Sequence, residues 1–368
     1  MLGKYATARF GIIMGIVIAL CLVVALVCVY VLRPAGATPN TTLDQGNVDV
    51  VETDESFIEP SEAATTDPIV EGSTTKGTVS WEQVENNYYQ ITAIPHESKL
   101  GDADRSSFVF AYWQTSGGTK ISGDQTIRVK TYTTSNPVMS REYVPVFIQS
   151  MTSDGTNTDY VHYITDLASI NDTYLSANGA EGHIFILQND IVLASNFTPI
   201  GADSGVNYTA FKGVLDGNGH SIENLQITGG AQTSIGLVCA LDGGVIKDLT
   251  IRSGEISSAV ANGYVGAFAG SMTNGLISRC VNHAAVYSTG SGGTAAGIVA
   301  QATLSTTLNT ANGGSLTSSI YCNENYGAIR GNFVGAIIFN NATHTTSTSQ
   351  VIPAAYLIKN INQGSFQT

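Results

Sequence analysis

Six acidic residues in the middle of the chain, Asp190, Asp216, Glu223, Asp242, Asp248 and Glu255, are the side chains best suited to bond-breaking chemistry. A glycan-cleaving enzyme needs two such carboxylates on one outer face, one to give a proton and one to attack or to activate water. Only DGNGH, Asp216 to His220, sets an acid and a histidine close together. Asp216 and Asp242 both adjoin glycine, where an aspartate commonly closes a turn on its own backbone, so a structural turn is the preferred reading of each. HESKL, starting at His96, opens like the helix of a zinc hydrolase but lacks a second histidine four residues on, which leaves a metal without ligands. His162, His183, His283 and His344 are scattered singly. No GxSxG, P-loop or dinucleotide fingerprint is present, and the glycine-rich stretches fall between β-type runs with no helix start to receive a phosphate. The chain therefore reads as a non-enzyme, and no catalytic, cofactor-binding or metal-binding residue is nominated.

What these residues sit on is a repeat. Four apolar, glycine-centred segments recur: SIGLVCAL from Ser234, YVGAFAG from Tyr264, AAGIVAQ from Ala295 and FVGAII from Phe333. Aligning Gly236, Gly266, Gly297 and Gly335 gives spacings of 30, 31 and 38 residues, a period that marks stacked units covering one another's apolar faces. A second landmark follows each of the first three: IKDLTIRSGEI (Ile246 to Ile256), ISRCVNHAAV (Ile277 to Val286) and IYCNENYGAI (Ile320 to Ile329). In the last two, Asn282 coincides with Asn325 and Val286 with Ile329. The third copy is delayed by a Thr/Ser/Asn/Gly insertion around Thr303 to Ser315, read as a loop leaving one face. The segments are short, β-branched and broken by Gly, Asn or Ser, without a helical stripe, so the expectation is a right-handed parallel β-helix over residues 156–340.

VGAFAG, SIGLVCA and AAGIVA resemble the GLUG motif. FKGVLDGNGHSIENLQI (Phe211 to Ile227), with FILQNDIVL (Phe185 to Leu193) and TPIG (Thr198 to Gly201) before it, is similar to the stretch that commonly precedes GLUG repeats in bacterial surface proteins. The resemblance spans Phe185 to about Ile338. It implies an extracellular, adhesin-like β-helix, sometimes attached to peptidases, in which the DGNGH stretch is structural.

Composition fits that picture. Charged residues make up 12% of the 368 and the net charge is −13, a balance that repels nucleic acid and anionic lipid surfaces. Thirty-nine glycines without a GXY period suit a turn-rich β architecture and exclude collagen. Residues 10–32 form an uncharged apolar run of 23 residues, long enough as a helix to cross a hydrocarbon core of roughly 30 Å. Lys4 and Arg9 precede it, and past Arg33 no positive charge occurs until Lys76, which places residues 1–9 in the cytoplasm and the bulk of the chain outside. The alternative is a long signal peptide cut near Ala37 and a secreted product. Gly11 and Gly15 have the spacing of a helix-pairing motif, more readily explained by chance. Residues 33–76 are acidic and poor in large apolar side chains, as in a disordered stalk.

Residues 77–155 carry β-type runs (Phe108 to Trp113, Thr126 to Tyr132, Tyr143 to Ile148), both tryptophans, Trp81 and Trp113, and the pair Tyr88 and Tyr89. They form either a separate small β domain or an amino-terminal cap, and the aromatics either fill a core or stack on sugars. Ile164 to Leu175 offers Thr165 as an N-cap with Leu167, Ile170 and Tyr174 at helical spacing, a short helix to cover the first turn. Residues 341–368, with VIPAAYLI inside them, form a carboxyl-terminal cap or tail. Cys239, Cys280 and Cys322 are odd in number and fit no paired spacing, so they read as small buried hydrophobes, whereas Cys21 and Cys28 lie in the apolar run. Sequons at Asn40, Asn171, Asn196, Asn207 and Asn341 are expected by chance in so Thr-rich a chain. The functional expectation is a membrane-tethered, adhesin-like surface protein contacting glycans or other surface proteins. A spacer or self-associating surface element is the alternative, and a glycan-cleaving enzyme a more distant third.

Overall fold

The computed structural model of the protein describes residues 57–58, 76–85, 88–99, 101–114, 118, 120–130, 144–171, 175, 178–202, 205–303, 319–338 and 360–367. The expected membrane helix at 10–32, the acidic stalk apart from Phe57, Ile58 and Lys76, the insertion around Thr303 to Ser315 past its first residue, and VIPAAYLI lie outside these residues. Among the described residues no helix is long and apolar enough to cross a membrane.

From Val161 onward the chain winds as a parallel β-solenoid. Each of three successive coils carries five short strands. In the first they are Val214–Asp216, Ser221–Glu223, Leu225–Thr228, Ser234–Ile235 and Val238–Asp242, and each pairs in parallel with its counterpart one coil later. Inward positions stack into columns: Leu215, Ile246, Ile277 and Ile320; Ile227, Ile256, Val286 and Ile329; Ile235, Val265, Ala295 and Val334. These residues belong to one continuous core, whose burial supplies on the order of 25 cal/mol for each Å² of apolar surface removed from water. Strands of two to five residues suffice, because each needs only one or two inward side chains before the chain turns.

The register corrects one alignment. Gly266 pairs with Ala296, and Ala296 with Gly335, so the third rung of the glycine column is Ala296 and Gly297 lies one residue beyond it. Close backbone approach explains the small residues: a Cβ on Gly266 would lie 2.1 Å from the Ala269 carbonyl oxygen and 2.8 Å from the Ala300 nitrogen. The pairing of Asn282 with Asn325, and of Val286 with Ile329, is as the repeat predicts. Both columns run on: Asn362 pairs with Asn325 and Phe366 with Ile329. The coil therefore continues beyond residue 340, with Ile361–Asn362 and Phe366–Gln367 as its last described rung rather than as a tail.

Asparagine replaces aliphatic residues inside the later coils. Asn282 Nδ2 donates to Asn325 Oδ1 and Asn325 Nδ2 donates to Asn362 Oδ1, each at 2.8 Å. A second ladder runs from Asn323 Nδ2 to Asn360 Oδ1 at 3.0 Å. The same side chains satisfy turn carbonyls, Asn282 and Asn325 reaching the Ala284 and Gly327 oxygens, so no buried amide group in the ladder is wasted.

At the amino-terminal end the expected helix is one short turn. Its cap is Asp166, whose Oδ1 accepts from the Ser169 N–H at 3.1 Å, not Thr165. A carboxylate one position nearer the turn reaches the free amide better than the threonine hydroxyl. Leu167, Ile170 and Leu175 from this segment are buried in the solenoid core and close its first coil.

Residues 77–151 form a β-sandwich. We number its strands β2 (Gly77–Glu85), β3 (Tyr88–Pro95), β4 (Ser107–Gln114), β5 (Lys120–Ser122), β6 (Thr126–Lys130) and β7 (Val144–Met151), after the short β1 (Phe57–Ile58). One sheet has the order β1-β6-β3-β2 and the other β5-β4-β7. Val79, Ile91, Ala93 and Ile127 of the first face Phe110, Trp113 and Ile121 of the second. Trp113 thus fills the core, while Trp81 is exposed. The sandwich lies along the flank of the solenoid, not over its end. Ala111, Val109, Tyr112, Val146 and Ile148 pack on the outward column Ile184, Val214, Val245 and Leu276. A bulge between Phe110 and Tyr112 lets β4 serve both contacts, since an extra residue reverses which side chains face which way.

Candidate functional site

Where the sandwich meets the solenoid, the β5–β6 turn descends onto two consecutive coils. Asp216 and Lys247 are register partners, and Ser278 follows on the third rung. Lys247, almost wholly buried, sets its Nζ 3.2 Å from Asp216 Oδ2, 3.4 Å from the Gly123 carbonyl and 5.1 Å over the Phe110 ring. One residue further along each coil the backbone turns through the left-handed region, at Asp248 (φ 54°) and Arg279 (φ 52°). That turn brings Arg279 onto Asp248 as a fork, Nε to Oδ1 and Nη2 to Oδ2 both at 2.5 Å. Arg279 also contacts Asp124 through Nη1 and donates to the Gly123 carbonyl at 3.4 Å.

Three carboxylates, Asp124, Asp216 and Asp248, thus face two cations, Lys247 and Arg279. Burial pushes the Asp248 carboxyl up to about 7, with the Asp216 carboxylate adding to the shift, Lys247 opposing it and Asp124 adding less. The Arg279 fork also favours the ionised form, so what retains the proton is desolvation together with the surplus of acids over bases. Beside this cluster opens a cleft of about 440 Å³. Asp216, Lys247 and Asp248 form its floor on the solenoid side, and Phe108, Val109 and Pro95 its wall on the sandwich side.

The remaining candidates are dispersed. His220 turns away from Asp216 and places Nδ1 3.4 Å from Asp190 Oδ1, while Asp216 Oδ1 accepts from the Asn218 N–H at 2.8 Å, as a turn aspartate does. The DGNGH acid and histidine are therefore not a working pair. Asp190 and Glu223 share Arg252, at 3.9 and 2.8 Å. Hydrogen bonding from the Ser221 amide holds the Asp190 carboxyl below its usual range. Asp242 lies 3.7 Å from Lys212, and Glu255 is exposed on another face. His162 Nε2 and His183 Nδ1 are 2.9 Å apart and stack with Phe185, and burial lowers the His162 pKa. His283 stacks on Tyr326 at 4.7 Å, and His96 is exposed. Among the described residues no three His, Cys, Asp or Glu side chains converge as a metal site would need. Cys239 and Cys280 are buried, as expected, and Cys322 is half-buried; burial raises the Cys280 pKa.

Sequence reasoning missed the Lys247–Arg279–Asp124 side of this cluster. A signal existed: Ile184–Phe185, Val214–Leu215, Val245–Ile246 and Leu276–Ile277 are apolar at both members of an inward/outward pair, the mark of a sheet covered on both faces. The strand that brings the cover, β4, has the same property at Phe110–Ala111.

No family model matches the chain, and no curated protein does. A solved structure described as "putative immunoglobulin A1 protease from Bacteroides ovatus" is similar at 14% identity and a TM-score of 0.25, over 50% of this chain and 78% of that one.

Proposed function

We propose that the protein is a non-catalytic, adhesin-like binding module that displays its solenoid outside the cell, tethered by residues 10–32, with the repeated strands as GLUG-type units. The observation that carries this reading is the pairing of charges. Asp216 is held by Lys247, Asp248 by Arg279 and Asp190 by Arg252 and His220, so these acids are engaged in structure and no two stand free across a gap where a glycosidic bond could lie. The low net charge density and the polar outer rungs favour contact with glycans or surface proteins rather than with nucleic acid. Full-length protein in detergent micelles, applied to a glycan array and to a panel of cell surfaces, is expected to be retained on at least one. Silence on all of them removes the reading.

One observation favours a second role in self-association. Among the described residues the column that begins with Ile227 runs as far as Phe366, which is 47% exposed, while the asparagine ladders run to Asn360 and Asn362. A rung exposed in this way is a template for another strand. Sedimentation across a hundredfold range of concentration separates the roles, because a strict monomer excludes self-association.

A further inference from the structure

The cleft between sandwich and solenoid lies within the roughly 300–1,000 Å³ range of small-molecule sites, and its position between two modules is where such sites concentrate. Its walls differ in chemistry. Pro95 and Val109, both half-buried, offer hydrocarbon with the buried Phe108 behind them, while Asp216, Asp248, Arg279 and Asn218 supply acceptors and donors to the same cleft. A pyranose has the matching two-sided character, with a face of C–H groups and an edge of hydroxyls that both donate and accept. A phosphate or a flat apolar ring would leave one wall unmatched.

Charge narrows the class. Glu97, Asp216 and Asp248 line the cleft with Lys247 and Arg279, so acids at least match bases and the cleft holds no surplus of positive charge. Both cations are already engaged, Lys247 by Asp216 at 3.2 Å and Arg279 by both oxygens of Asp248. A sugar carrying a carboxylate or sulfate would enter without a free counter-charge, a desolvated charge with no partner. The rim leaves a way out for a longer chain: Gly219, at φ +79°, has open space where a Cβ would point, and Asn218, Glu97 and Gln125 around it are exposed.

We propose that this cleft binds one unit of a neutral glycan, its hydrocarbon face on the Pro95 and Val109 wall and its hydroxyls on Asp216, Asn218 and Asp248, with the next unit leaving past Gly219. The proposal rests on the binding-module reading above and gives it a place and a ligand class.

The test uses the full-length chain and saturation-transfer NMR with the methyl glycosides of glucose, galactose, mannose and N-acetylglucosamine, with methyl glucuronide and spermidine as the charged probes. At least one neutral glycoside is expected to bind, and the glucuronide at least tenfold more weakly. Glu97→Trp, at an exposed rim position where folding is not at stake, should weaken that binding at least tenfold by filling the mouth. Gln226→Trp, exposed on another sheet, should leave it unchanged. Binding that survives Glu97→Trp, stronger binding of glucuronide or spermidine, or no binding of any neutral glycoside overturns the proposal. If the array and cell panel still retain the protein in those cases, the binding module stands and only its placement in this cleft falls.

Discussion

Replacing Asn325 by alanine tests the solenoid where it departs most from an aliphatic core. The side chain is buried and sits in the middle of a ladder. It accepts from Asn282 Nδ2 at 2.8 Å and donates to Asn362 Oδ1 at 2.8 Å and to the Gly327 carbonyl at 3.2 Å. Three hydrogen bonds disappear, each with a net value of about 0.5–1.5 kcal/mol. The partners left behind suffer unequally. Asn282 keeps its bond to the Ala284 carbonyl, and Asn362 is half-exposed and can turn to water, but the Gly327 carbonyl is buried. The sum is about 2–4 kcal/mol. Read by hydrogen exchange of the amides in residues 281–288 and 324–330, this loss appears as a roughly 30- to 700-fold fall in protection. The Asn282→Ala, Asn325→Ala double variant should cost less than the two single costs added, because the shared bond can be lost only once. A single variant within about 0.5 kcal/mol of the parent, or strict additivity in the double, would refute the claim that the ladder acts as a connected unit.

Gly266→Ala should destabilise the chain by about 1–3 kcal/mol in urea unfolding, since the new methyl meets backbone on two rungs, whereas Ala296→Gly in the same column should cost no more than about 1 kcal/mol; equal costs would remove the close-approach argument. For Asp248 the folded pKa of about 7 lies above the ordinary carboxylate value of 3.8, so the folded state binds the extra proton and stability falls as pH rises from about 4 to 7, then stays at its lower level. Chemical denaturation at pH 5 and pH 8 should show that slope in the parent and a flatter one in Asp248→Asn, and an inverted difference would mean that the Arg279 fork dominates. Among the described thiols, Cys322 should react with a maleimide in the native protein while Cys239 and Cys280 resist until it unfolds. Prompt labelling of Cys280 would contradict its burial.

The repeat was legible because most of its inward columns keep one residue class. Ile246, Ile277 and Ile320 stand in one column, and the Asn282–Asn325 match found an interior ladder without any knowledge of hydrogen bonding. The glycine column was read one residue out at Ala296, because alanine fills the same close space as glycine and the neighbouring Gly297 offered a better match by letter than by register. The flank docking was missed for a different reason. A pattern of apolar pairs says that both faces of a sheet are covered but does not name the cover, and the Lys247 and Arg279 contacts join residues more than 120 positions apart from Gly123. Asp216 and Asp248 stood among the acids considered; their cations, Lys247 and Arg279, come from the next coil in each case, while Gly123 and Asp124 are brought in by a turn of the sandwich that no local pattern announces.

The seam between sandwich and solenoid also fixes how load would travel. Tension entering through the segment that precedes Gly77 reaches the sandwich first, and the sandwich grips Ile184, Val214, Val245 and Leu276 together, one residue on each of four stacked coils. A pull applied there would be divided among several rungs at once instead of unravelling the first coil, and the flank contact would act as a brace against peeling.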